Sequence, residues 1–117
     1  LRMLVEYEAE SVRKVFTDLA VMQRKIGSDM ARTTKKRLDQ LRAAPNFGAY
    51  MATGLGRPHP LVGGLKGYFA IGVTGNVRLI VKPHSALGVA ETLHECDAVI
   101  VKGVVDYHGG KNEWLVP

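Results

Sequence analysis

Apolar residues along this chain recur first with a helical period and later with an alternating one. Val12, Val15, Phe16, Leu19, Met22 and Ile26 are spaced by three and four, the repeat of one helix face, with Ser11 placed to cap the start and Gly27 to stop it. Ser28 or Asp29 can open a second helix, in which Met30, Thr34, Leu38 and Leu41 form a narrow inner stripe before Pro45. So short a connection predicts an antiparallel helical hairpin. Residues 3–7 read as a short strand ahead of it. Residues 46–51 can hold one further helical turn, after which Gly54, Gly56, Pro58 and Pro60 impose a loop. Beyond Gly67 the pattern becomes that of strands. Residues 68–73 and 77–82 flank Thr74-Gly75-Asn76 as a β-hairpin, with Pro83 closing the second strand. Residues 84–97 carry no sustained period, and residues 98–107, rich in Val and Ile, give the strongest strand signal. Helices followed by strands predict an α+β fold: an N-terminal strand and a two-helix hairpin packed on one face of a small antiparallel β-sheet.

Neither an internal repeat nor a low-complexity tract nor a linker divides the sequence, so residues 1–117 are read as one domain. A chain of this size buries about two thirds of its unfolded surface, enough for a core without staples. The one cysteine, Cys96, excludes an intramolecular disulfide framework and a Cys-rich zinc site, and fits a reducing compartment. No apolar run is longer than four residues, as at 98–101, far too short to span a bilayer. The first ten residues carry Glu6, Glu8 and Glu10 rather than the order of a signal peptide. A cytoplasmic protein with no membrane partner is the expectation.

Charge adds a second layer. The net charge is +5, and all of the excess falls between Arg24 and Arg42, where Arg24, Lys25, Arg32, Lys35, Lys36, Arg37 and Arg42 face only Asp29 and Asp39. Such a segment suits phosphates or an acidic protein, although a solvated helical face has the same composition.

Two histidines stand where strand patterns break: His59 in Arg57-Pro58-His59-Pro60-Leu61, and His108 after Val105-Asp106-Tyr107. Imidazole titrates near neutrality, which suits acid-base work. Asp106 and His108 are two apart and share a strand face, so Asp106 can orient or charge His108, whereas Tyr107 points to the other face. Arg78 interrupts an apolar strand on the face of Ile80 and Lys82, where it can serve as an edge device or as an anion clamp. His94-Glu95-Cys96-Asp97 has neither helical nor hairpin ligand spacing, so no metal site is assigned. Residues 63–67, Gly-Gly-Leu-Lys-Gly, lack the spacing and the following helix of a phosphate loop and read as a turn.

Taken in order, His59-Pro60-Leu61, Leu65-Lys66-Gly67-Tyr68-Phe69-Ala70, Gly75-Asn76-Val77-Arg78-Leu79-Ile80 and Asp106-Tyr107-His108 resemble the RelE/ParE toxin superfamily, and within it the HigB-like plasmid maintenance killer branch. Lys25-Ile26-Gly27 and the stretch from Arg37 to Pro45 extend the resemblance, which covers roughly residues 4–108. It implies a toxin of a type II toxin-antitoxin system that enters the ribosomal A site and cuts mRNA without metal or other cofactor. Its implied partners are the ribosome, mRNA and a neutralising antitoxin of the helix-turn-helix DNA-binding kind. Carried over by residue, His59, Asp106, Tyr107 and His108 fall on the catalytic positions and Arg78 on the phosphate-meeting arginine. Val62 stands where a lysine is frequent, a role Lys66 could supply. Residues 84–97 and the tail after His108 depart from the compact family pattern.

The chemistry required of such an enzyme fits these residue types. RNA carries its own nucleophile, the 2′-hydroxyl, so cleavage needs a base, an acid for the departing 5′-oxygen and cations for the developing charge. Either His59 or His108 can be the base, the other acting with Tyr107 as acid or stabiliser, with Asp106 orienting and Arg78 clamping phosphate. The alternatives are a ParE-like gyrase poison without nuclease activity, and a non-catalytic basic RNA- or ribosome-binding module using the segment from Arg24 to Arg42.

Overall fold

The computed structural model describes residues 2–117. Strand β1 (Leu4–Tyr7) leads into four helices, α1 (Glu10–Phe16), α2 (Leu19–Ile26), α3 (Ser28–Ala43) and α4 (Phe47–Thr53). The remaining strands follow: β2 (His59–Pro60), β3 (Phe69–Gly72), β4 (Val77–His84), β5 (Ala98–His108) and β6 (Lys111–Val116). They form one sheet in the order β1-β5-β4-β3-β2, with β6 also paired to β5. Because β4 runs along one side of β5 from His84↔Ala98 to Val77↔Asp106, β1 and β6 share the other side, β1 against residues 98–101 and β6 against residues 104–108.

The expected α+β architecture is present, with helices on one face of the sheet. The sheet is mixed rather than antiparallel, since β1 runs parallel to β5. The whole helical layer separates those two strands in sequence, so no tight hairpin dictates their sense. On the helix side Val12, Phe16, Met22, Leu38, Leu41, Phe47 and Tyr50 join Ile71, Leu79, Val81, Val99 and Val101 in the main core. The opposite face carries only a small apolar group, Ala70, Ile80 and Val105, flanked by Leu61, Tyr68, Tyr107 and Trp114. Among the described residues no helix covers that face.

Several local expectations change. The first helical segment is two helices, because the Asp18 carboxylate accepts from Ala20 N (3.0 Å) and Val21 N (3.3 Å) and starts α2 afresh. The bend leaves Leu19 exposed while Met22 and Ile26 stay buried. Ser11 lies inside α1, whose N-cap is Ala9. In α3 the buried stripe is Ala31, Thr34, Leu38 and Leu41, so Ala31 replaces Met30, and Gly27 rather than Ser28 or Asp29 is the N-cap. Strand β4 continues through Pro83 to His84; beyond Val81 it has no β3 partner and is an edge, the setting in which proline is tolerated. The tail forms β6 because Gly109 and Gly110, both at positive φ, turn the chain back onto β5. Gly103 makes room for it, since a Cβ there would collide with the Val116 carbonyl.

Candidate functional site

At the edge of the sheet, α3, the loop after α4 and the β3–β4 turn enclose an open cleft of about 710 Å³. Its geometry follows from local chemistry. Phe47 packs edge-on against Phe69 with ring centroids 4.9 Å apart, which seats α4 on β3. Gly54 ends α4 in the left-handed conformation, and the buried Tyr50 hydroxyl donates to the Leu55 carbonyl at 2.6 Å. Burial pushes the Tyr50 hydroxyl up to about 12, so it remains a donor at neutral pH. Gly72 N then donates to the Gly56 carbonyl at 2.7 Å and ties the loop to the end of β3. Gly56 (φ 75) is required here, because a Cβ would come within 2.6 Å of Ile71 Cγ2.

Basic side chains line this cleft from both sides. Lys36 and Arg37 come from α3, Arg57 and His59 from the loop and β2, and Arg78 from β4; no lining residue is a carboxylate. Two guanidiniums are pre-oriented. Arg37 donates from Nε to the Gly72 carbonyl (2.9 Å) and from Nη1 to Gln40 (3.0 Å). Arg78 donates from Nη1 to the carbonyls of Thr74 (2.7 Å) and Val77 (3.1 Å), leaving three N–H groups without a protein partner among the described residues. An open cleft with fixed donors and no lining carboxylate has the charge and geometry to receive an anion such as a phosphodiester.

His59 and Arg78 are therefore brought together, whereas Asp106, Tyr107 and His108 lie outside the cleft lining at the end of β5. Tyr107 N donates to the Asn76 carbonyl at 2.8 Å, so these three residues border the same β3–β4 turn from its far side. Arg78 opposes Val105 in register, which makes Tyr107 its diagonal neighbour on the open face. Asp106 and His108 point to the other face, with His108 Nδ1 3.2 Å from Asp106 Oδ1. That carboxylate oxygen is out of solvent contact and accepts no well-directed hydrogen bond.

The remaining basic residues separate into groups. Arg24 and Lys25 are exposed at the end of α2. Arg32 pairs with Asp29 (3.4 Å), and Lys35 (2.7 Å) and Arg42 (3.5 Å) share Asp39. Arg42 also donates to the Tyr7 hydroxyl. Lys66 is exposed after the 3₁₀ turn Gly63–Leu65 and lies outside the cleft. Arg37, which is not part of the expected inner stripe of its helix, is half-buried and turned onto the sheet. Sequence reading missed Arg57 as a site residue; its only signal was a cation between Gly56 and Pro58, two positions before His59.

Beyond the cleft, the open face carries a second polar cluster. Glu8 accepts from the Tyr68 hydroxyl and from Lys102 Nζ (2.9 Å), and the Lys102 ammonium sits 5.6 Å from the ring centroids of both Tyr68 and Trp114. The Tyr68 hydrogen bond, with help from Lys102, holds the Glu8 carboxyl below its ordinary value. The residues from His94 to Asp97 have structural roles: Glu95 closes a capping box with Thr92, Asp97 accepts from Ala86 N, and Cys96 is buried, which raises its thiol. Among the described residues no group of three potential ligands could hold a metal ion, and no helix is long and apolar enough to cross a membrane.

Sequence comparison matches the chain to no family model and to no curated protein. Solved structures do match. A YoeB/ParE toxin from Agrobacterium tumefaciens is 17% identical and superposes with a TM-score of 0.56 over 86% of this chain and 93% of that one. A chain of the YoeB-YefM complex from Staphylococcus aureus (14% identical, TM-score 0.55) and the YoeB dimer from the same organism (13%, TM-score 0.54) each match 92% of this chain and 99% of their own. This chain thus has the fold of the YoeB/ParE toxins.

Proposed function

We propose that this protein is the toxin of a type II toxin-antitoxin system and acts as a metal-independent, ribosome-dependent mRNA endonuclease. The observation that carries the reading is the carboxylate-free cleft in which His59 and Arg78 stand together on a toxin fold. His59 takes the 2′-hydroxyl proton. The 2′-oxygen forms its bond to phosphorus while the bond from phosphorus to the 5′-oxygen breaks, leaving a 2′,3′-cyclic phosphate and a 5′-hydroxyl. The departing 5′-oxygen receives its proton from Tyr107 or from His108, whose Nδ1 lies 3.2 Å from Asp106. Arg78, with Lys36, Arg37 and Arg57, neutralises the non-bridging oxygens. The ribosome supplies in-line geometry that a small protein cannot impose alone.

An antitoxin partner is part of the same reading and is supported by the YoeB-YefM complex among the structural neighbours. The HigB-like assignment rests on the sequence motifs. Expression in a bacterium tests the reading: the wild-type chain should arrest growth, and His59→Ala and Arg78→Ala should each relieve the arrest while remaining folded. Arrest that persists in both variants would favour the gyrase-poisoning alternative.

A further inference from the structure

Arg57 is the one non-glycine residue with positive φ among the described residues, at 49°. It also precedes Pro58, a position that resists compact backbone conformations. An arginine held there against both preferences requires compensating contacts. Its N–H donates to the Gly54 carbonyl at 3.0 Å. Its own carbonyl oxygen lies 3.2 Å from Nδ1 of His59.

That second contact has a chemical consequence. A carbonyl oxygen can only accept, so this contact is a hydrogen bond only in the tautomer that carries its proton on Nδ1 of His59, and it favours that tautomer. In the neutral imidazole the lone pair is then on Nε2. We propose that Arg57 is a positioning residue, whose left-handed backbone presents its carbonyl to His59 Nδ1 and thereby makes Nε2 the proton acceptor for the RNA 2′-hydroxyl. The inference rests on the reading of His59 as the base, and it assigns the ring nitrogen that takes the proton. The Arg57 side chain has a separate role as one of the cleft cations.

Long-range ¹H–¹⁵N correlation spectra of the folded protein, with no RNA present, read the tautomer directly at about pH 8.5, where an ordinary histidine is neutral. The expected spectrum has His59 Nδ1 protonated and Nε2 bare. Arg57→Asn tolerates the left-handed conformation and should keep that pattern, whereas the β-branched Arg57→Val should lose it. Both variants lack the guanidinium, so the difference between them isolates the backbone: kcat of the valine variant should fall at least tenfold below that of the asparagine variant. A wild-type His59 protonated on Nε2 would overturn the proposal whether or not Arg57→Val folds. So would equal tautomer populations in the two variants. If the tautomer is as expected but His59→Ala still cleaves RNA, the base assignment fails while the local geometry stands.

Discussion

Arg37 donates from Nε to the carbonyl oxygen of Gly72 at 2.9 Å, joining the middle of α3 to the end of β3 across the floor of the cleft. Its neighbour Lys36 lines the same cleft with an exposed side chain and no such tie. The two adjacent cations should therefore behave differently. Arg37→Gln is expected to lower stability by about 1–2 kcal/mol, the range for losing a hydrogen bond from a charged donor at a half-buried site. Lys36→Gln should stay within about 0.5 kcal/mol of wild type. Urea unfolding of both variants checks this, and equal losses would contradict the role given to Arg37.

Cations that already have carboxylate partners should contribute less to RNA binding than those in the cleft. Replacing Lys36 and Arg57 together by Gln should flatten the salt dependence of binding to a single-stranded RNA, by about 0.7 in logarithmic slope for each phosphate that is no longer neutralised. Replacing Arg32, Lys35 and Arg42, which pair with Asp29 and Asp39, should change the slope less. Filter binding across a salt series distinguishes them. A larger change from the second set would move the interface to the outer face of α3.

Gly103 admits β6. Gly103→Ala should push the Val116 carbonyl away and weaken the β5–β6 pairing, because the added carbon has no space and the backbone is at φ 157. Hydrogen exchange should accelerate at Trp114 and Val116 well before it does at β4. Uniform protection in the variant would show that the strand can shift without cost.

The Glu8 carboxylate gives a pH dependence of known sign. Its folded-state value is depressed from 4.5, chiefly by the Tyr68 hydroxyl, so the stability it contributes is full above the unfolded value and is lost as pH falls through the folded one. Glu8→Gln should therefore flatten the acid side of the stability profile below about pH 4.5, with little change in slope between about pH 6 and 8. An unchanged acid limb would remove Glu8 from the account.

Much of this architecture could be read from residue spacing. The strand period put Arg78 on the face of Ile80 and Lys82, and in the fold that face is the one opposite Val77, Leu79 and Val81, which join the main core. The helical stripe in α3 was legible for the same reason, apart from a one-residue exchange of Met30 for Ala31. What was not legible depended on contacts distant in sequence. A single carboxylate at Asp18 divides one apparent helix into two without interrupting its apolar period. The two-residue strand β2 has no period at all, and β6 shows itself only once β5 is there to pair with it. Nothing in the spacing distinguished Arg37 from the other cations of its segment, because its acceptor, the Gly72 carbonyl, is 35 residues away. The same limit applies to the site: His59 and Arg78 were identified by residue type, but the carboxylate-free cleft that joins them, and Arg57 within it, arise from the meeting of three separate segments.

Primer extension on mRNA bound to translating ribosomes tests the central claim most directly. Wild-type protein should produce discrete cleavage stops that persist when EDTA is added to ribosomes already programmed with mRNA. His59→Ala should reduce the cleavage rate by about 10²- to 10⁴-fold, the usual cost of losing one acid-base group, and Arg78→Ala should also lower it substantially. Stops of undiminished intensity with both variants, or no stops with the wild-type protein, would contradict it.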